Sequence, residues 1–198
     1  MKNILSYLLL LLIFTSCQKS IDDHLEDRIK DSTPVNQYTE YFIAKGAQYA
    51  SQSQYLPVSV TDMKFTVKFD NSASYRTVQD SNQADINKLY GFSDNELDHH
   101  QFSARFGWRW YENNLQLLAY VYNNGVREYK LLGNVAIGAE ILCGIKVSGN
   151  QYIFTLNGVQ TIMPRAATTT TGKGYQLYPF FGGTEASPQD IRIWIKNS

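Results

Sequence analysis

The stretch Phe102–Gly125, FSARFGWRWYENNLQLLAYVYNNG, carries the pattern that decides the fold. Phe106, Trp108 and Trp110 alternate with Arg105, Gly107 and Arg109, and Leu115, Leu117, Ala119 and Val121 oppose Gln116, Leu118, Tyr120 and Tyr122. A period of two is the signature of a strand with one face sealed in a core. Asn113-Asn114 and Asn123-Asn124-Gly125 separate the runs, and asparagine and glycine accept the positive φ that tight hairpins require. Further out, Met63, Phe65, Val67 and Phe69 alternate in the same way, as do Ile141 to Val147, Tyr152 to Leu156, and Ile191, Ile193 and Ile195. Ser148-Gly149-Asn150 and Asn157-Gly158 supply two more turns. Residues 102–163 therefore predict an antiparallel meander of about six strands. The run Thr168 to Thr171 followed by Gly172-Lys173-Gly174 reads as a mobile, low-complexity loop.

Many short strands with no long helical pattern and no internal repeat predict an all-β, antiparallel two-sheet sandwich over residues 34–198. The composition agrees. The chain has 198 residues, and hydrophobic types make up 43%, too many for a disordered polymer. Its 18 basic residues balance 18 acidic ones, which excludes a nucleic-acid binder that works by displacing counterions from phosphate.

The N-terminal segment reads differently. Lys2 precedes an apolar run from Ile4 to Phe14 that only Ser6 interrupts. A spanning helix needs about 20 apolar residues, so this run predicts a secretion signal over residues 1–16. Phe14-Thr15-Ser16-Cys17 resembles the lipobox of bacterial lipoproteins, which implies acylation of Cys17 and anchoring in the cell envelope. Residues 17–33 are rich in charge and predict a solvated tether. Gln18 in place of aspartate after the cysteine points to the outer membrane, facing either the periplasm or the outside. With Cys17 lipidated, Cys143 has no disulfide partner, and its parity with Ile141, Ile145 and Val147 predicts a small core residue.

Two late motifs carry a wider resemblance. Gly149-Asn150-Gln151-Tyr152-Ile153-Phe154-Thr155-Leu156-Asn157-Gly158 resembles the hairpin of concanavalin A-like (LamG-like) jelly rolls. Leu177-Tyr178-Pro179-Phe180-Phe181-Gly182-Gly183, followed by Pro188 to Ile195, resembles the Gly-Gly corner and final strand of that superfamily. The segment from Tyr38 to Lys196 is also similar to uncharacterised secreted lipoproteins of Gram-negative bacteria. The resemblance implies a jelly-roll sandwich. It leaves function open, because lectins, glucanases, lyases and adhesive modules share that fold.

Catalytic motifs are incomplete. Glu96-Leu97-Asp98-His99-His100-Gln101 is similar to the Glu-x-Asp-x-x-Glu strand of jelly-roll β-glucanases, but its last position, Gln101, cannot supply an acidic proton. Arg, Tyr and His of the types used by uronate lyases are present, yet the Gln-x-His and Tyr-x-Lys-x-Gly-x-Tyr strands of jelly-roll alginate lyases are absent. His99 and His100 are neighbours, and neighbours on a strand point to opposite faces, so no metal site is expected there. Asp190, near the Gly182-Gly183 corner, is a candidate ligand for a structural calcium, as in some jelly rolls; no other cofactor is expected.

The outward row of the central strands is the informative feature. Arg105, Arg109, Tyr111, Tyr120, Tyr122, Asn124 and Arg127 predict a concave surface of aromatics and guanidinium forks rather than a plain solvated face. The reading they favour is a lipid-anchored, non-catalytic glycan-binding protein whose candidate ligands include acidic glycans. Polysaccharide cleavage by a jelly-roll lyase or glycoside hydrolase is the first alternative. A structural or adhesive module that binds another protein is the second.

Overall fold

A computed structural model describes residues 37–198. The expected signal over residues 1–16, the lipidated Cys17 and the tether over residues 17–33 lie outside the described residues.

Twelve strands run in chain order: β1 (Thr39–Ile43), β2 (Pro57–Val60), β3 (Asp62–Phe69), β4 (Asn87–Ser93), β5 (Phe102–Tyr111), β6 (Asn114–Asn123), β7 (Val126–Val135), β8 (Ile141–Ser148), β9 (Gln151–Leu156), β10 (Val159–Pro164), β11 (Gly172–Leu177) and β12 (Ile191–Asn197). Two antiparallel six-stranded sheets result. One has the order β1-β12-β3-β8-β9-β10 and the other β2-β11-β4-β5-β6-β7. This is the expected jelly-roll sandwich.

The inward rows of both sheets form one core. Phe106, Trp108, Leu117 and Ala119 from the second sheet, and Val67, Ile145, Phe154 and Ile193 from the first, are all inaccessible to solvent. Edge-to-face aromatic contacts cross between the layers: Phe65 to Phe106 at 5.5 Å and Phe106 to Phe154 at 5.3 Å. Each large apolar side chain removed from water stabilises the sandwich by roughly 1.5–3 kcal/mol. Cys143 is buried in this core, and burial pushes its thiol pKa well up. It packs as a small hydrophobe, as its parity predicts.

Three local expectations need correction. The six strands from Phe102 to Met163 form two three-stranded meanders in different sheets, not one. The connection over residues 136–140 carries the chain between layers, with Gly138 at φ +83 and its N–H donating to the Phe69 carbonyl. The β5–β6 hairpin turns on Glu112 and Asn113, at φ 51 and 59, one residue earlier than Asn113-Asn114. The presumed mobile loop ends in strand β11. A Cβ on Gly172 would lie 2.3 Å from the Phe92 ring, and one on Gly174 would lie 2.3 Å from Ser93 Oγ. Those glycines allow close packing on β4, which is why the chain from Gly172 onward is strand despite its composition, while Thr168 to Thr171 stay outside it.

Candidate functional site

The outward face of β5 and β6 is built by register. Arg105 lies opposite Tyr120, Ser103 opposite Tyr122, Gly107 opposite Leu118 and Arg109 opposite Gln116. The row does not form one open groove. Ile86 sits on Gly107, where a Cβ would meet Ile86 Cγ2 at 2.5 Å, and it packs with Leu118 and Tyr120. Arg109 holds this covering segment down: Nη1 donates to the Ala84 carbonyl at 2.7 Å and Nε to Gln116 Oε1 at 2.8 Å. The chain's own residues 84–86 therefore divide the face. Arg109, Tyr111 and Asn124 lie outside the cavity that remains, with the Arg109 guanidinium 4.7 Å over the Tyr111 ring.

Arg105, Tyr120, Tyr122 and Arg127 come together on the other side of that divide. They line an open cavity of about 470 Å³, joined by Lys88, His99, His100, Tyr175, Tyr49 and Phe180. None of the described residues that line it is acidic. Arg105 is 6% exposed, its guanidinium carbon lies 5.3 Å from the centre of the Tyr120 ring, and its Nε has no hydrogen-bond partner among the described residues. It forms no salt bridge among the described residues. Burial pushes its pKa down, partly offset by Tyr120 and Tyr122, and a guanidinium stays charged regardless. Lys88 approaches the same Tyr120 ring at 5.2 Å and donates to the Ile86 carbonyl at 2.7 Å. Burial, then Arg105 and Arg127, lower its pKa to about 8. Burial and the hydrogen bond with Tyr122 raise the Tyr120 pKa to about 12, so this phenol stays neutral.

The segment Glu96 to Gln101 is a turn rather than a glucanase-like strand, with Asn95 and Glu96 both at φ 58. The expectation that His99 and His100 point apart falls with it, because a turn does not impose strand alternation. Their rings lie 4.2 Å apart, both on the side of Asp98. Asp98, His99 and His100 bring ligand atoms within 4.8 Å of one another. The surroundings do not favour a cation: Lys88, Arg105 and Arg127 line the same cavity, and His99 Nδ1 is already 2.8 Å from the Tyr175 hydroxyl. Burial and Arg105 depress the His99 pKa to about 4, leaving a neutral imidazole at pH 7. Burial raises the Tyr175 pKa, so this phenol is protonated. Asp190, near the Gly-Gly corner, accepts the Lys45 N–H on Oδ1 at 2.8 Å.

Sequence reasoning did not single out Lys88, Tyr175, Tyr49 or Phe180. Tyr175 directly follows the stretch read as a loop, and Lys88 lies where the β4–β5 register shifts between Lys88 and Gly91.

No protein-family model matches the chain, and no curated protein matches it by sequence. Solved structures share the fold. Alginate lyase AlyC3 superposes with a TM-score of 0.55 at 9% identity, covering 81% of this chain and 74% of that one. Alginate lyase vAL-1 from Chlorella virus gives 0.50 at 12% identity, over 84% and 85% of the two chains. The catalytic domain of an endo-1,3-β-glucanase (laminarinase) from Thermotoga petrophila RKU-1 gives 0.52 at 7% identity, over 81% and 75%. At such identities the likeness is one of architecture, that of a two-sheet jelly-roll sandwich.

Proposed function

We propose that this protein binds a carboxylate-bearing glycan in the cationic cavity of its second sheet, as a lipoprotein held at the outer membrane through Cys17. The observation that carries the reading is Arg105: a buried guanidinium that has, among the described residues, no partner for its Nε and no carboxylate, with two further cations beside it. A buried charge without a counter-ion is costly. A ligand carboxylate would supply the missing partner and accept the planar fork in bidentate geometry, while Tyr49, Tyr122 and Tyr175 offer ring faces to sugar C–H groups. The fold shared with two alginate lyases and a laminarinase supports a glycan over other anions. The anchor rests on Lys2, the apolar run and Cys17.

The test is a titration of uronate oligosaccharides, alongside neutral ones, against the wild type and Arg105→Met. Binding of acidic glycans that the variant loses by at least tenfold is expected. Binding of neutral glycans alone, or of none, overturns the reading.

One contact favours a second reading, β-elimination of a uronate polymer. His99 Nδ1 and the Tyr175 hydroxyl are 2.8 Å apart within the same cavity. The neutral imidazole would take the C5 proton, and the protonated Tyr175 would give its proton to the departing O4 oxygen. The C4–O bond breaks, a C4=C5 double bond forms, and Arg105 stabilises charge on the carboxylate. Unsaturated ends appearing in a polymer digest, and disappearing in His99→Ala, would select this reading over binding alone.

A further inference from the structure

We infer that the cavity continues past Tyr175 into a second subsite of no net charge built on Tyr55, and that the ligand is an internal stretch of a glycan chain spanning both. The inference rests on the glycan reading above and specifies what kind of glycan fits.

Tyr175 lines two spaces: the cationic cavity and an adjoining groove of about 450 Å³ that includes Tyr55, Pro57, Val58 and Ser59. The rings of Tyr55 and Tyr175 lie 5.7 Å apart, tilted by 34°, so the two aromatic side chains are in contact where the groove meets the cavity. A single exposed tyrosine means little. This one leaves 77% of its surface to solvent, yet the backbone that carries it runs straight into a paired strand. Tyr55 lies two residues before β2, whose Pro57 pairs with Tyr175, and the Gln176 N–H donates to the Leu56 carbonyl at 2.8 Å. A backbone fixed by strand pairing leaves less to be ordered when a ligand stacks on the ring it carries.

Charge separates the two spaces. The cavity has three cations and no acid among its lining residues. The groove has one of each, Glu96 and Lys173, and they pair at 2.7 Å. One part suits a carboxylate and the other the C–H face of a sugar. A single sugar cannot use both, whereas a chain laid across Tyr175 can.

The experiment titrates oligomannuronates of two and of six residues against the wild type, Tyr55→Ala and Tyr55→Trp. Melting temperature checks folding, which so exposed a side chain should not disturb. We expect the wild type to bind the hexamer more tightly than the dimer. Tyr55→Ala should weaken the hexamer by about tenfold and leave the dimer within about twofold, and Tyr55→Trp should keep the tight hexamer. If Tyr55→Ala weakens neither chain, or both equally, the second subsite is overturned, while the glycan reading stands provided Arg105→Met still abolishes binding of both. If the wild type binds neither chain, the subsite falls together with the glycan reading.

Discussion

The Arg165 guanidinium meets the Asp94 carboxylate at 2.8 Å with both side chains buried. The same carboxylate accepts from the Tyr152 hydroxyl at 2.7 Å, from Thr169 Oγ1 at 3.1 Å and from the Lys173 N–H at 3.1 Å. These groups come from the end of β4, from β9, from the residues after β10 and from β11, so one network ties the two sheets together. Arg105 is buried in the same domain without any of this. The contrast separates an arginine that holds the fold from one that, on the proposed reading, takes its partner from a ligand.

Asp94→Asn should therefore be a stability variant. Removing one partner of a buried pair leaves the other uncompensated and costs about 3–5 kcal/mol, which for a domain of this size lowers Tm by roughly 10 °C. The pair also sets an acid limb. Burial raises the Asp94 pKa, but hydrogen bonds from Arg165, Tyr152 and the N–H groups of Asn95 and Lys173 outweigh it and leave the pKa lowered. A folded pKa below the unfolded value of about 3.9 means that this stabilisation is present above about pH 4 and is lost as pH falls further. Thermal melts from pH 2 to 7 check it. A variant whose acid limb matches the wild type's would refute the assignment.

Arg105→Met should behave in the opposite way. Methionine fills similar space without a buried, unpartnered charge, so Tm should hold or rise by a few degrees. Binding of uronate glycans should fall by at least tenfold, and the residual binding should depend less steeply on salt. Calorimetric titration at two ionic strengths reads both effects. A variant that loses stability along with affinity would mark Arg105 as a structural residue.

The strands were legible because burial imposes period two on one face, and Phe106, Trp108, Leu115 and Leu117 are sealed in as their parity requires. The site was only half legible because its limits are set by residues far away in the chain. Nothing local distinguishes Arg105 from Arg109. The difference is that residues 84–86 cross between them, and the only trace of this in the central stretch is Gly107, small enough to lie under Ile86. Tyr175 stayed hidden for a similar reason. Thr-Gly-Lys-Gly has the composition of a loop, and it becomes a strand only because β2 and β4 flank it.

Lys88 gives the cavity a pH dependence. Burial, Arg105 and Arg127 hold its pKa at about 8, so the ammonium is mostly charged at pH 7 and mostly neutral at pH 9. A bound carboxylate favours the charged form, so affinity for acidic glycans should fall as pH rises through 8. The loss should be several-fold between pH 7 and 9. Lys88→Met should bind more weakly at pH 7 and show no such step. Titrations at three pH values test this, and a wild-type affinity that stays flat to pH 9 would remove Lys88 from the site.

Gly91 tests whether the cavity depends on how closely β4 approaches β5. It sits where the β4–β5 register shifts, and a Cβ there would lie 2.2 Å from the Ala104 carbonyl oxygen and 2.4 Å from Arg105 Cα. Both are backbone atoms and cannot swing aside, so Gly91→Ala must push β4 away from the strand that carries Arg105. The expected cost is about 1–3 kcal/mol or more, together with weaker glycan binding because Lys88 and Arg105 move apart. Gly144→Ala is the matched comparison: its Cβ would meet Thr155 Cβ at 3.6 Å, an ordinary contact on the other sheet. That variant should melt within a few degrees of the wild type and bind normally. Equal melting temperatures for the two variants would show that the approach of β4 to β5 is not tight, and the spacing of the two cations would then need another cause.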